Sequence, residues 1–170
     1  MKAPKIGGLM QGSPDGQIDR VDRGIMKMLA ADARTSVSRI AERVGLSQSA
    51  CTRRIQAIES TGRISGYGVR FGLRRMGFRV TALVDITLNT QVEEELAQFE
   101  RAVAGIIGVV ECNLVSGAND YRLKIICRDL DDYERIHREH LGKLPAVSTI
   151  NSSFVLRSIP TRSEADAMLA

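Results

Sequence analysis

Tryptophan is absent, and three tyrosines and four phenylalanines are the only aromatic residues among 170. Any core must therefore be built from Ile, Leu, Val and Ala, and 44% hydrophobic content supplies enough for a globular chain. The three cysteines, Cys51, Cys112 and Cys127, are odd in number and form no CxxC pair. That excludes a disulfide framework and a zinc knuckle. All three lie in apolar patterns and are expected to be buried, inert thiols. No apolar run approaches the roughly 18 residues of a bilayer span. The opening residues, Met1 to Gly8, lack the apolar segment of a signal peptide. A cytoplasmic protein without membrane contact is the expectation. HExxH, GxSxG, P-loop and GxGxxG motifs are all missing. His137 and His140 stand three apart on a predicted helix rich in Asp and Glu, without a metal motif around them. No metal, cofactor or catalytic set is expected.

What is present is unevenly distributed. Residues 19–67 carry nine Lys/Arg against five Asp/Glu, and residues 68–90 four Arg against one Asp. Residues 91–170 reverse the balance, with nine Lys/Arg against thirteen Asp/Glu. A basic front and an acidic back suggest that only the front meets a polyanion.

Residues 1–17 hold four glycines and two prolines and read as a flexible tail. From Asp19 to Ala31, Val21, Ile25, Met28 and Leu29 recur at helical spacing. A second helix, Val37 to Val44, is capped by Ser36 and ended by Gly45. Ser47 then caps a third helix after a very short turn. Cys51, Ile55 and Ile58 make its apolar face, and Gln48, Ser49, Thr52, Arg53 and Gln56 face away. A tri-helical unit with a tight second turn suits DNA, because one face of the last helix anchors while the other enters the major groove. Residues 63–67 are expected to add a short wing, giving a winged helix-turn-helix over 18–67. A linker follows at 68–77.

In residues 78–88 every even position is apolar, which marks a half-buried strand. Thr90 to Glu93 reads as a capping box opening a helix that carries Leu96, Phe99 and Val103. Strands are predicted over 109–115 and 121–127, separated by the turn chemistry of residues 116–120. A helix from about Asp129 and a last strand over 147–159 complete the order β-α-β-β-α-β, a ferredoxin-like domain over 78–160. Residues 161–170 are set apart as a C-terminal tail, read as a loose end or a short helix. The class is α+β. In this architecture both helices cover one sheet face. Leu83, Val109 and Val115, among Asp85, Glu111 and Asn113, are expected on the open face, which favours pairing with a second subunit.

Residues 18–67 resemble the Lrp/AsnC family of feast/famine regulators. The similarity rests on Val44-Gly45-Leu46-Ser47, the Arg54-Ile55 pair and Gly62-x-Ile64-x-Gly66-Tyr67. The back half resembles that family's effector (RAM) domain, with its G-x-x-D turn at Gly117-Ala118-Asn119-Asp120. The resemblance implies a transcriptional regulator that binds double-stranded DNA, dimerises through its sheets, can form octamers and responds to an amino-acid effector. On this chain it implies DNA contact by Ser47, Gln48, Ser49, Thr52, Arg53 and Arg54. It also implies an effector site at Gly117, Ala118, Asn119 and Asp120, with Ser148 and Thr149 beside it and the Asp120 carboxylate available to an ammonium group. An architectural protein that binds DNA with little sequence preference shares every one of these features. An amino-acid-metabolism enzyme is a further alternative.

Overall fold

The computed structural model describes residues 18–159 and 161–170. The stretch 1–17, expected as a flexible tail, lies outside the described residues. The chain divides into two compact units. One extends to Val69 and takes in the residues from 161 onward; the other is Arg70–Ile159.

The first unit contains α1 (Arg20–Ala31), α2 (Val37–Val44) and α3 (Gln48–Ser60). Each begins on a side-chain cap. Asp19 accepts from the N–H of Asp22, Ser36 from Arg39 and Ser47 from Ala50. These bonds satisfy donors that the first helical turn leaves free. Gly45, at φ 73°, ends α2 in the left-handed region and allows α3 to start three residues later. Ile25, Leu29, Ile40, Ala41, Cys51 and Ile58 form the core between the three helices. The helix-turn-helix expectation holds, and two details differ. Residues 63–67 contain no strand, so the expected wing is not formed. Ile64 instead packs on the core, and Tyr67 Oη donates to Glu59 at 2.7 Å, which ties the segment to α3. Residues 161–170, set apart as a tail, take the short-helix form of that expectation, α6 (Glu164–Met168), opened by a Ser163/Asp166 capping box, but they pack on α1 rather than standing apart. Leu169 is buried in a pocket that Met26, Leu29 and Ile64 also line. An apolar side chain at the end of a polar segment finds its seat there.

The second unit holds β1 (Val80–Leu88), α4 (Glu93–Ala104), β2 (Val109–Leu114), β3 (Tyr121–Cys127), α5 (Leu130–Glu139) and β4 (Val147–Phe154). The sheet order is β2-β3-β1-β4, with every neighbouring pair antiparallel. This is the ferredoxin-like sandwich. Ala82, Val84, Ile86 and Leu88 of β1 and Tyr121, Leu123, Ile125 and Cys127 of β3 all face one side. There they meet Phe99 and Val103 of α4 and Tyr133 and Ile136 of α5. The period-two and period-3.6 patterns thus converge on one core.

The opposite face carries Leu83, Asp85 and Thr87 of β1 with their cross-strand neighbours. Asp85 pairs with Arg122 at 2.6 Å, and Lys124 with Glu111 at 2.6 Å. Val109 does not join this face. A register shift between Val109 and Glu111 places Val109 opposite Ile125, on the core side, whereas Glu111 and Asn113 lie opposite Lys124 and Arg122. Cys112 differs too: it is exposed on edge strand β2, while Cys51 and Cys127 are buried. Thr90 does not form a capping box. Its Oγ1 accepts from the N–H of Val92 at 3.2 Å, and α4 starts at Glu93 without a side-chain cap. Strand β4 stops at Phe154 rather than 159: its last paired residue lies opposite Ala82, and only the Val155 N–H, donating to the Thr81 carbonyl at 2.9 Å, carries the ladder further. The linker region contains a 3-10 turn, Leu73–Met76. Among the described residues, no helix is long and apolar enough to cross a membrane.

Candidate functional site

Helix α3 separates its side chains cleanly. Cys51 and Ile58 are buried and Ile55 is half-buried, whereas Ser47, Gln48, Ser49, Thr52, Arg53 and Gln56 are exposed. All three of the exposed hydroxyls are partly engaged, Ser49 Oγ sharing a hydrogen bond with Ser47 Oγ at 3.2 Å. Ser47 Oγ caps the helix, and Thr52 Oγ1 donates to the carbonyl of Gln48 at 2.9 Å. Each hydroxyl oxygen can still accept or donate elsewhere. Arg53 makes no side-chain hydrogen bond or ion pair with any described residue.

Arg54 behaves differently from its neighbour. Its Nη2 donates to Asp19 at 2.6 Å and its Nη1 to Asp22 at 3.2 Å. Asp22 is the one buried charged residue among those described, at 4% exposed. The guanidinium therefore clamps α3 onto α1 and partners a carboxylate that would otherwise be isolated. Asp19 serves both the α1 cap and this clamp. Its carboxyl lies below the usual range, first through the Asp22 N–H and then through Arg54.

The second site is the loop between β2 and β3. Gly117 adopts φ 133°, a region that side-chain-bearing residues avoid. Gly117 and Ala118 are exposed, and Asn119 and Asp120 are half-buried. Asp120 does not present a free carboxylate. One oxygen accepts from the Leu88 N–H at 2.7 Å and the other from Gln91 Nε2 at 2.8 Å. Its own N–H donates to the Ile86 carbonyl at 2.9 Å. The loop is thereby fastened to the end of β1. Asn119 Oδ1 accepts from Thr87 Oγ1 at 3.3 Å, and Thr87 lies opposite Thr149 in the sheet. The structure thus brings Asn119, Asp120 and Thr149 to one end of the sheet around Thr87. Ser148 is exposed and is the extra residue at the irregularity where β4 shifts register against Leu88. Sequence reasoning missed Thr87, Leu88 and Gln91. Only the even-odd alternation of β1, which puts Thr87 on the open face, hinted at any of them.

The Leu88 N–H and, after it, the Gln91 amide hold the Asp120 carboxyl below its ordinary value. A lowered folded-state pKa contributes stability that is present above the unfolded value of about 3.9 and is lost as pH falls through the folded value. Asp120→Ala is expected to lower stability by about 1–2 kcal/mol near neutral pH, since both oxygens accept hydrogen bonds at a partly exposed site. Thermal unfolding of both proteins should show that difference shrinking once the pH drops below about 4.

Comparison with known proteins locates both regions within one family. Residues 18–59 match the model of the AsnC-type helix-turn-helix domain, and residues 81–164 that of the Lrp/AsnC ligand binding domain. The chain is 36% identical over 142 residues to the proline dehydrogenase transcriptional activator of Rhodobacter capsulatus, covering 84% of this chain and 92% of that protein. Among solved structures it is similar to an AsnC family transcriptional regulator from Agrobacterium tumefaciens. The TM-score is 0.81 and the identity 30%, over 88% of this chain and 99% of that one. It is also similar to the feast or famine regulatory protein of M. tuberculosis complexed with L-methionine. There the TM-score is 0.73 and the identity 28%, over 85% and 96% of the two chains. The fold, the two matched domains and this level of identity along most of the chain have one meaning: the protein belongs to the Lrp/AsnC family of DNA-binding transcriptional regulators.

Proposed function

We propose that the protein is a sequence-specific regulator that reads the major groove with the exposed face of α3, and that an amino acid modulates it at the Gly117–Asp120 turn. The observation that carries the first half is the division of labour on α3. Arg54 is spent on the fold, and Gln48, Ser49, Thr52 and Arg53 remain turned outward. Amide and guanidinium groups match the donor and acceptor pattern of base edges, and hydroxyls match phosphates. Double-stranded DNA is the partner. A second copy of the chain covers the open sheet face, and dimers assemble further.

The effector half rests on the loop anchored by Asp120 and on the relative of known structure that holds L-methionine. Asp120 is occupied, so its role is to fix the loop. Backbone groups of Gly117 and Ala118, with Asn119, Ser148 and Thr149, offer polar contacts for the two charged ends of an amino acid.

Fluorescence anisotropy on DNA from upstream of the protein's own gene, against scrambled DNA of equal length, tests the reading. Gln48→Ala is expected to narrow the preference between the two by about 1–3 kcal/mol. Arg53→Ala is expected to weaken binding to both, with a shallower salt dependence. Equal affinity of the wild type for both DNAs would favour an architectural protein instead. Adding each of the twenty amino acids to the assay searches for the effector; no change in affinity or oligomer size with any of them removes the sensor half.

A further inference from the structure

The ferredoxin-like unit carries arginines that its own fold does not use. Residues 70–79 contain Arg70, Arg74, Arg75 and Arg79 without a single Asp or Glu, and residues 154–159 add Arg157, again without an acid. All five are exposed. None makes a side-chain hydrogen bond or ion pair with any described residue. Four other cations of the same unit are paired, Arg122 with Asp85, Lys124 with Glu111, Arg135 with Asp132 and Arg138 with Glu134, so what sets the arginines of these two segments apart is where they gather.

Three of the five converge. Arg74, Arg79 and Arg157 line one concave pocket, with the hydroxyls of Thr81 and Ser158 beside them and no carboxylate in the lining. The backbone holds this grouping together. Phe78 N–H donates to the Leu73 carbonyl at 2.9 Å, Arg79 N–H to the Cys127 carbonyl at 3.1 Å, and Val155 N–H to the Thr81 carbonyl at 2.9 Å. Two segments separated by some 80 residues in sequence are thus fixed together, each bringing guanidinium groups. Like charges gathered without a counter-charge repel one another, and an anion placed among them relieves that repulsion. Guanidinium forks with hydroxyl groups form the donor set that holds phosphate oxygens.

We infer that this pocket is a second DNA-backbone site: Arg74, Arg79 and Arg157 of the ferredoxin-like unit bind phosphates of the duplex whose bases α3 reads. The inference rests on the DNA-reading role of α3 and extends the contact to a unit otherwise assigned to assembly and sensing. Arg74 lies only five positions after Val69, where the chain passes from the one unit to the other. Contact here is with backbone alone, so it adds affinity and salt dependence without sequence preference.

The test uses the full chain, wild type against Arg74→Gln/Arg79→Gln/Arg157→Gln, titrated on specific and scrambled duplexes over a salt series. Each lost phosphate contact should lower the slope of log affinity against log salt by about 0.9, hence by about 2.7 for the triple variant. Between about 50 and about 200 mM salt the wild type should then lose roughly 40-fold more affinity than the variant, on both duplexes alike. The corresponding triple Arg→Lys protein should keep the wild-type slope. A triple Gln variant with an unchanged slope overturns the site while leaving α3 as the reader. A Lys variant as impaired as the Gln variant overturns the charge argument in favour of packing. Thermal stabilisation of the wild type by inorganic phosphate at fixed ionic strength, with equal DNA slopes for all proteins, would assign the pocket to a free anion and overturn the DNA claim. Absence of wild-type binding to either duplex would fail α3 and this site together.

Discussion

Replacing Arg54 by methionine is expected to lower the stability of the helix-turn-helix unit by about 2–3 kcal/mol, whereas Arg53→Met leaves unfolding unchanged. The two residues are adjacent on one helix and chemically identical. Arg54 partners Asp22, whose side chain is 6% exposed, and Asp19 at the head of α1. Methionine keeps much of the side-chain volume but leaves Asp22 buried without its cation. Isolation of a buried charge can cost about 3–5 kcal/mol; here Arg54 is itself 43% exposed, so water already screens part of the pair and the lower figure applies. Asp22→Leu/Arg54→Met should recover much of the loss, because removing both partners removes the unpaired charge. Urea unfolding followed by circular dichroism provides the check. A single variant as stable as the wild type would mean that the clamp contributes nothing. In DNA binding the order should reverse, with Arg53→Met the more impaired of the two folded proteins.

The largest loss is expected in the other unit. Phe99 is fully buried between α4 and the sheet, its ring 4.6 Å from that of Tyr121 and tilted by 39°. Phe99→Ala should destabilise by about 3–5 kcal/mol, the transfer of the ring plus the void that it leaves. Relaxation into that void is restricted, because Tyr121 Oη donates to Glu100 at 2.8 Å and so fixes the neighbouring ring. The upper half of the range is therefore expected, while Phe99→Leu should remain below about 1.5 kcal/mol. Tyr121 directly follows Asp120, so loosening it should also loosen the loop anchor. Denaturant midpoints give the first effect, and hydrogen exchange at the Leu88 amide, which donates to Asp120, gives the second.

Much of the architecture was legible from short-range periodicity. Helix α2 and strand β3 have the bounds that their patterns imply, and the even positions of β1 are indeed those that reach the core. Caps at Ser36, Ser47 and Gly45 were readable because capping is local. What escaped depends on contacts across the chain. The partners of Arg54 lie 32 and 35 residues away, and those of Asp120 lie 29 and 32 away. A single displaced residue between Val109 and Glu111 moved Val109 from one face of the sheet to the other, and no pattern in six residues marks such a slip. The exposure of Cys112 follows from β2 being an edge strand, which is a fact of strand order rather than of composition. The candidate sites divide the same way. Their positions on α3 and in the glycine turn could be read, but which members are free to bind and which are holding the fold together could not.

The seat of Leu169 bears on how the protein is made. The three-helix unit contains residues from both ends of the described chain, because α6 packs on α1 and Leu169 is 3% exposed. During synthesis α1, α2 and α3 emerge first, and the whole ferredoxin-like unit is then translated before α6 leaves the ribosome. Until that moment the seat beside Met26, Leu29 and Ile64 lacks the Leu169 side chain that lines it in the full chain. The helix-turn-helix unit thus receives its last described element only after the ferredoxin-like unit has been translated.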